Sequence, residues 1–402
     1  MKTTIFILIC VTLIFSGCLT LPQQSTNAGN EAIPQRQPAS TRQSAGGLIR
    51  LPGDFAVPAS YDIAYSFRTN TPHPLMTSIP RNIDNLRVSN PAEYIAQIAR
   101  IINTNSRNDF ERFKMAHDFV AITIRYDAES FLSGRIPNQN YENILRTGLA
   151  VCSGYANLLK KICDELQIAC IIVNGYARGA GTSVSGTERV TESNHAWNIV
   201  TINGANYLVD STWNSGFLEG RAWRQQYRTD YLFLKPEHLI YSHFPTNPQH
   251  QLLSPPLSAS QFMELPHFRP PFFDTASNLS VNLQRIMRAS NSFSFEYTVK
   301  DGHRFSFRIT DNRNGNVLQN RSLIQQNGLR HTVHFNFPAA GQYKIDIFYW
   351  LPGADRGIGC GDFIVQASAG SRFEFPRTFS SSGQNVNIIS PLESPLIRGR
   401  TY

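Results

Sequence analysis

Cys152, His195 and Asp210 are the residues whose types and spacing allow chemistry. Cys152 is the second residue of the stretch VCSGYANLLKKICDELQI, Val151 to Ile168. Its Ala156, Leu159, Ile162, Cys163 and Leu166 recur every three or four residues, the pattern of an amphipathic helix. A helix N-terminus carries roughly half a positive charge, which favours thiolate. A thiolate still needs a base and a group that orients the base. His195 and Asp210 lie in HAWNIVTI and ANYLVDSTW, which flank Asn203-Gly204, a strong hairpin signal. A two-residue loop pairs Ile202 with Ala205, sets His195 opposite Thr212, and sets Asp210 opposite Trp197. His195, Thr212 and Asp210 then share one face. Asp210 becomes the diagonal neighbour of His195, about 7 Å away between backbones. An odd loop would put them on opposite faces. In the even register Asp210 fixes the imidazole tautomer, and His195 pairs with the Cys152 thiolate.

The elements around these residues read as an α+β domain over residues 85–270. Asn90-Pro91 starts a helix, with Pro91 in its first turn and Ile95, Ile98, Ile101 and Ile102 as its apolar stripe. Asn108 or Asp109 caps a second helix carrying Phe110, Phe113, Met115, Ala116 and Phe119. The Cys152 helix follows, then a β-branched run from Ile168 to Tyr176. Arg178 to Asn194, rich in Gly, Ser and Thr, reads as a surface loop before the hairpin. Residues 271–370 change texture. FSFEYTV, HRFSFRI, HTVHFNF and QYKIDIFYW alternate, and Asp301-Gly302, Asn314-Gly315 and Asn327-Gly328 separate them. That is the pattern of an immunoglobulin-like β-sandwich, with Tyr343 as a candidate tyrosine corner. The Cys pair and buried Trp of antibody domains are absent.

The N-terminus bears on location. Residues 1–18, MKTTIFILICVTLIFSGC, have a basic Lys2, an apolar Ile5-to-Phe15 run and small Ser16 and Gly17 before Cys18. This resembles a bacterial lipoprotein signal peptide whose lipobox ends at Cys18, the lipid-attachment residue. An ordinary cleaved signal peptide is the alternative. Residues 19–50, polar and low in apolar residues, read as a disordered tether. Residues 51–84 read as an irregular lead-in and residues 371–402 as an extended tail. The expected location is therefore exported and lipid-anchored to the bacterial cell membrane or outer membrane.

Composition narrows the classes. The net charge is +8, from 37 Lys/Arg against 29 Asp/Glu, and the basic residues are scattered. That excludes a nucleic-acid footprint and leaves a mild attraction for anionic surfaces. No CxxC or Cys/His zinc spacing occurs, so no metal and no cofactor is expected. Cys163 and Cys170 read as core thiols, a bridge between them being the lesser alternative. Cys360 is a lone thiol without an evident role, and Trp197 reads as wall or core. His238, His243 and His250 fit no usual metal pattern, and His243 reads as a structural histidine.

RTGLAVCSGYANLLKKICDELQIACIIVNGYARG followed by SNHAWNIVTINGANYLVDSTW resembles the transglutaminase-like core of the papain-like cysteine-protease superfamily. The three catalytic blocks of that family fall on Cys152, His195-Ala196-Trp197 and Asp210-Ser211-Thr212. Gly154-Tyr155 and Gly175-Tyr176 match flanking motifs. Tyr207 and Ser153 depart from the commoner Trp and acidic residue. YLFLKPEHLIYSHFPTNPQHQLL resembles more narrowly the kyphoscoliosis-peptidase branch. The resemblance implies a papain-like/transglutaminase-like fold, with helices packed on an antiparallel sheet and the sandwich after it. It implies catalytic Cys152, His195 and Asp210, and acyl transfer from protein or peptide amides of the cell envelope through a Cys152 thioester. Peptidase or amidase activity is favoured over cross-linking. The rival expectation is a non-catalytic interaction or scaffold module. The backbone N–H of Cys152 is a candidate oxyanion donor; its side-chain partner and the oligomeric state are not legible.

Overall fold

The first long helix, α1 (Pro91–Asn105), begins where its cap dictates: the Asn90 side chain accepts from Glu93 N at 3.2 Å. It buries Tyr94, Ile95, Ile98, Ala99 and Ile102. Helix α2 (Asp109–Thr123) is capped by Asn108 through Glu111 N at 2.9 Å. Helix α3 (Cys152–Glu165) buries Tyr155, Leu158, Leu159, Ile162 and Cys163 against both. The computed structural model describes residues 60–79, 81–179, 190 and 192–375. The expected signal segment with Cys18, the tether, the start of the lead-in, most of the 178–194 loop and the tail beyond Phe375 lie outside the described residues.

The helices cover an antiparallel sheet of β1 (Cys170–Ala177), β2 (His195–Ile202), β3 (Ala205–Val209) and β4 (His243–Pro245), in the order β3-β2-β1-β4. Asn203 and Gly204 turn with φ of 52° and 75°, the left-handed pair a two-residue hairpin needs. The register is the expected one, from Ile202 opposite Ala205 to Asn198 opposite Val209. There the ladder stops. Asp210 turns into a short helix, α4 (Ser211–Ser215), and caps it by accepting from Trp213 N at 3.0 Å. The expected pairing of His195 with Thr212 therefore does not form, and His195 lies opposite Gly175 on β1 instead.

Residues 60–84 also differ from expectation. They carry short helices at Ser60–Tyr65, Pro74–Thr77 and Arg81–Asp84. Tyr61, Ala64, Met76 and Ile83 are buried in the same core as α1 to α3. Burial fixes them rather than propensity, since helices this short are marginal alone.

The C-terminal third forms two sheets. One orders Ala276–Ser277, Ser292–Val299, Arg330–Asn336 and Ser322–Asn327; the other contains Ile286–Ala289, Ile358–Ala367, Gly341–Trp350, Arg304–Asp311 and Val317–Leu318. Their inner faces interlock Phe295, Tyr297, Phe305, Phe335, Ile345, Ile347, Cys360 and Phe363. The Tyr343 hydroxyl donates to Ala339 O at 2.9 Å, the tyrosine-corner contact. The junction at residues 270 and 271 is not a gap between cores. Tyr176, Ile240, Tyr241, Leu257 and Phe262 belong to the sandwich's own apolar cluster, and His267–Phe268 pairs with the Ile358–Ala367 strand.

Candidate active site

Cys152 occupies the first position of α3, half-buried, with its helix entering from Val151. The Gln139 side chain accepts from Val151 N at 2.9 Å and so pins the chain just before the nucleophile. Gly154 is required here: a Cβ would lie 2.4 Å from Gln139 Oε1 and 2.7 Å from the Ala150 Cβ. Tyr155 then anchors the helix by donating to Ile124 O at 2.7 Å. Gly175, across the sheet, is needed for a similar reason. A Cβ there would meet Phe244 O at 2.3 Å and the Trp197 ring at 2.7 Å, so glycine lets β1 and β4 close under the site.

His195 Nε2 lies 2.7 Å from Asp210 Oδ2. With Nε2 engaged, Nδ1 is the ring nitrogen left for Cys152. Burial opposes a charged imidazole, but Asp210, then the Cys152 thiolate, overcome it and hold His195 protonated, pushed up to about 10. Burial likewise raises the Cys152 thiol. The His195 charge and hydrogen bond, with the Ala196 N–H donating to the sulfur, reverse that and bring it below its ordinary value. Burial would also raise Asp210. His195 and then His243 outweigh it and hold the carboxyl well below the usual carboxylate range. The three residues singled out by type and spacing are thus in one site, a thiol beside an imidazole that rests on a carboxylate, the order a nucleophile, its base and its orienter would need.

His243, read from sequence as structural, touches this site directly. Its Nε2 lies 3.1 Å from the same Asp210 Oδ2, and its Nδ1 lies 2.8 Å from Ser242 Oγ. No local spacing signals it, because β4 reaches Asp210 only through pairing with β1. His195, Asp210 and His243 also form a three-residue group with metal-ligating atoms. The 2.7 Å contact suits a shared proton better than a shared ion. A zinc with bonds of about 2.0–2.1 Å to both atoms would need an angle near 80°, far from tetrahedral.

A second buried polar chain supports the Asp210 backbone. Lys114 Nζ and the Tyr227 hydroxyl donate to Asp118 at 2.6 and 2.5 Å. His117 bridges Asp118 and Asn214, at 3.1 and 2.9 Å. The Asn214 Nδ2 can only donate, so His117 Nε2 accepts and Nδ1–H donates to Asp118. Asn214 Oδ1 accepts from Tyr231 N, and Tyr231 O accepts from Asp210 N.

Aromatic rings lie around the site. The Trp213 ring is 5.3 Å from that of His195. Tyr126 stands near Cys152, its ring 5.1 Å from that of Trp223 and 5.7 Å from that of Phe131. Trp197 is buried beneath. Cys163 and Cys170 are buried neighbouring thiols, and burial pushes Cys163 well up. Cys360 lies in the sandwich core.

Residues 96–213 match the transglutaminase-like superfamily, and that stretch is a transglutaminase-like domain. The chain is 28% identical to the kyphoscoliosis peptidase of Mus musculus over 248 residues, 60% of this chain and 36% of that protein. It is 27% identical to the Homo sapiens kyphoscoliosis peptidase over the same shares. It is 32% identical to cytokinesis protein 3 of Schizosaccharomyces pombe over 147 residues, 34% of this chain and 16% of that protein. The chain spans about a third of the length of the kyphoscoliosis peptidases it matches.

Proposed function

We propose that this chain, which carries a transglutaminase-like domain of the kyphoscoliosis-peptidase branch, is a cysteine acyl-transfer enzyme for protein or peptide amides. The observation that carries the reading is the His195–Asp210 contact of 2.7 Å beside a Cys152 thiol held below its ordinary value. An idle cysteine at this depth would be pushed the other way.

In the proposed reaction the Cys152 thiolate attacks the amide carbonyl carbon, forming a C–S bond and an oxyanion. The Cys152 N–H, which as the first of α3 has no partner within the helix, donates to that oxyanion. His195 gives its proton to the amide nitrogen as the C–N bond breaks, leaving a thioester on Cys152. An acceptor then loses a proton to His195 and attacks the thioester, returning the thiolate. Water gives hydrolysis; a lysine amine gives a cross-link. Hydrolysis is favoured, because an envelope amine is dilute against water. Cys18 lipidation and a tether over residues 19–50 would hold the enzyme to a bacterial membrane and present it to large envelope substrates.

The test is the rate at which iodoacetamide alkylates each cysteine of the full chain against pH, read by mass spectrometry. Cys152 is expected to react fast at pH 6, and His195→Ala to slow it about a hundredfold, the loss of thiolate at an ordinary thiol value. If Cys152 reacts no faster than Cys163 or Cys170, the enzyme reading fails and an interaction module replaces it.

A further inference from the structure

We infer that His243 is a positioning residue of this site: a neutral N–H donor that shares the Asp210 carboxylate with His195 and limits how strongly Asp210 holds the His195 proton. The inference rests on the reading of Cys152, His195 and Asp210 given above.

The ends of three strands bring these groups together. Asp210 follows β3, His195 opens β2, and His243 opens β4 opposite Ala177. Asp210 is fully buried, and its Oδ2 receives both rings, at 2.7 Å from His195 and 3.1 Å from His243. The two histidines differ in what else they face. His195 faces the Cys152 thiolate. His243 is 1% exposed and sits in an aromatic box, with ring centroids 4.4 Å from Trp213, 5.0 Å from Trp197 and 5.7 Å from Tyr231. Asp210 and His195 are its nearest charges. His250 and Gln251 line the small space on its far side. Burial, with the His195 charge, outweighs the Asp210 carboxylate and keeps His243 neutral, pushed down to about 4.

A neutral imidazole has one N–H, and its place is fixed here. Asp210 accepts only, so in the neutral ring Nε2–H donates to Asp210; Nδ1 then accepts from the Ser242 hydroxyl at 2.8 Å, a shorter contact than the 3.2 Å from that hydroxyl to Leu239 O. A carboxylate oxygen that accepts two N–H bonds is a weaker base than one that accepts a single bond. His195 must both stay charged beside the thiolate and release its proton to a leaving amine. A dedicated second donor on Asp210 serves the release. Packing alone needs neither the Nε2 contact nor the Ser242 partner, since an apolar side chain would also fill the box.

The test follows the same iodoacetamide reaction of Cys152 across pH in the full chain. A thiolate–imidazolium pair gives two steps, one at acid pH where the pair forms and one at alkaline pH where His195 loses its proton. His243→Leu is expected to move the alkaline step up by about one pH unit, tenfold in proton affinity. His243→Gln, which keeps an N–H, is expected to move it by less than a third of that. Ser242→Ala, which frees the tautomer, gives a smaller upward shift and serves if the Leu variant does not fold. An alkaline step that stays in place in the Leu and Ser242→Ala variants overturns the inference and leaves the active-site reading standing. So does an equal shift in Leu and Gln. A wild-type Cys152 with no acid step overturns both.

Discussion

Cys152 and Cys360 are both enclosed by protein, one in the transglutaminase-like domain and one in the sandwich, yet their thiols move in opposite directions. Burial raises both. Around Cys360 the opposition is too weak: the Arg269 charge acts without a hydrogen bond to the sulfur, the Tyr349 N–H adds a little, and the sulfur lies in a sheet core 3.5 Å from the Ile347 carbonyl. Around Cys152 a charged ring, a backbone N–H and a helix start do oppose it. Burial therefore does not decide whether a cysteine is reactive. The decision rests on whether the fold places a cation within hydrogen-bonding reach, and here that cation depends in turn on Asp210.

The comparison can be broken most severely at Asp210. Asp210→Asn leaves His195 without its carboxylate and should make Cys152 behave like Cys360, with iodoacetamide labelling at pH 6 falling a hundredfold or more. The same variant reports on stability. Asp210 is held below its ordinary value, so it stabilises the fold above about pH 3.9, and that contribution is lost as pH falls further. Melting temperatures of wild type and Asp210→Asn should therefore differ at pH 5 and converge as the acid is increased below about pH 4. A constant gap would count against the charged pair.

Gly154→Ala probes the support rather than the charge. The new methyl must displace Gln139 or Ala150, at about 1–3 kcal/mol. Thermal unfolding should show that loss, with slower Cys152 labelling because Val151 shifts. Unchanged labelling would mean that Gln139 does not position the nucleophile. The smallest effect is expected in the sandwich. Cys360→Ala removes a buried sulfur and should cost about 1 kcal/mol in denaturant unfolding while Cys152 labelling stays as in wild type.

What could be read in the sequence was local or periodic. The α3 stripe, the helix start at Asn90-Pro91, a cap at Asn108 or Asp109, the Asn203-Gly204 register and the alternating sandwich strands all follow from short-range rules, and the structure gives the second cap to Asn108. Cys152, His195 and Asp210 came from that register joined to a helix start. The reading failed where a side chain changed its structural task. Asp210 leaves the ladder to cap α4, which a strand pattern does not reveal, and Thr212 leaves with it. His243 could not be found by spacing, because its partner lies 33 residues earlier across an intervening strand order. The lead-in helices were missed because they are short and held by contacts such as Tyr61 to Asn206 O, 145 residues away.

Arg178 bears on how such a chain can be divided or inherited. Its guanidinium is buried against the Phe262 ring and donates to Phe262 O, Leu265 O and Tyr241 O at 2.8, 2.9 and 3.3 Å. Its own backbone continues β1, the strand that carries Gly175 opposite His195. A chain cut near residue 260 would take away the Phe262 and Leu265 carbonyls, the two shorter of these contacts, from a buried cation beside β1. The sandwich therefore does not travel as an exchangeable cassette. A recombination that replaced it would have to bring along the 257–268 segment, or new acceptors in place of the Phe262 and Leu265 carbonyls.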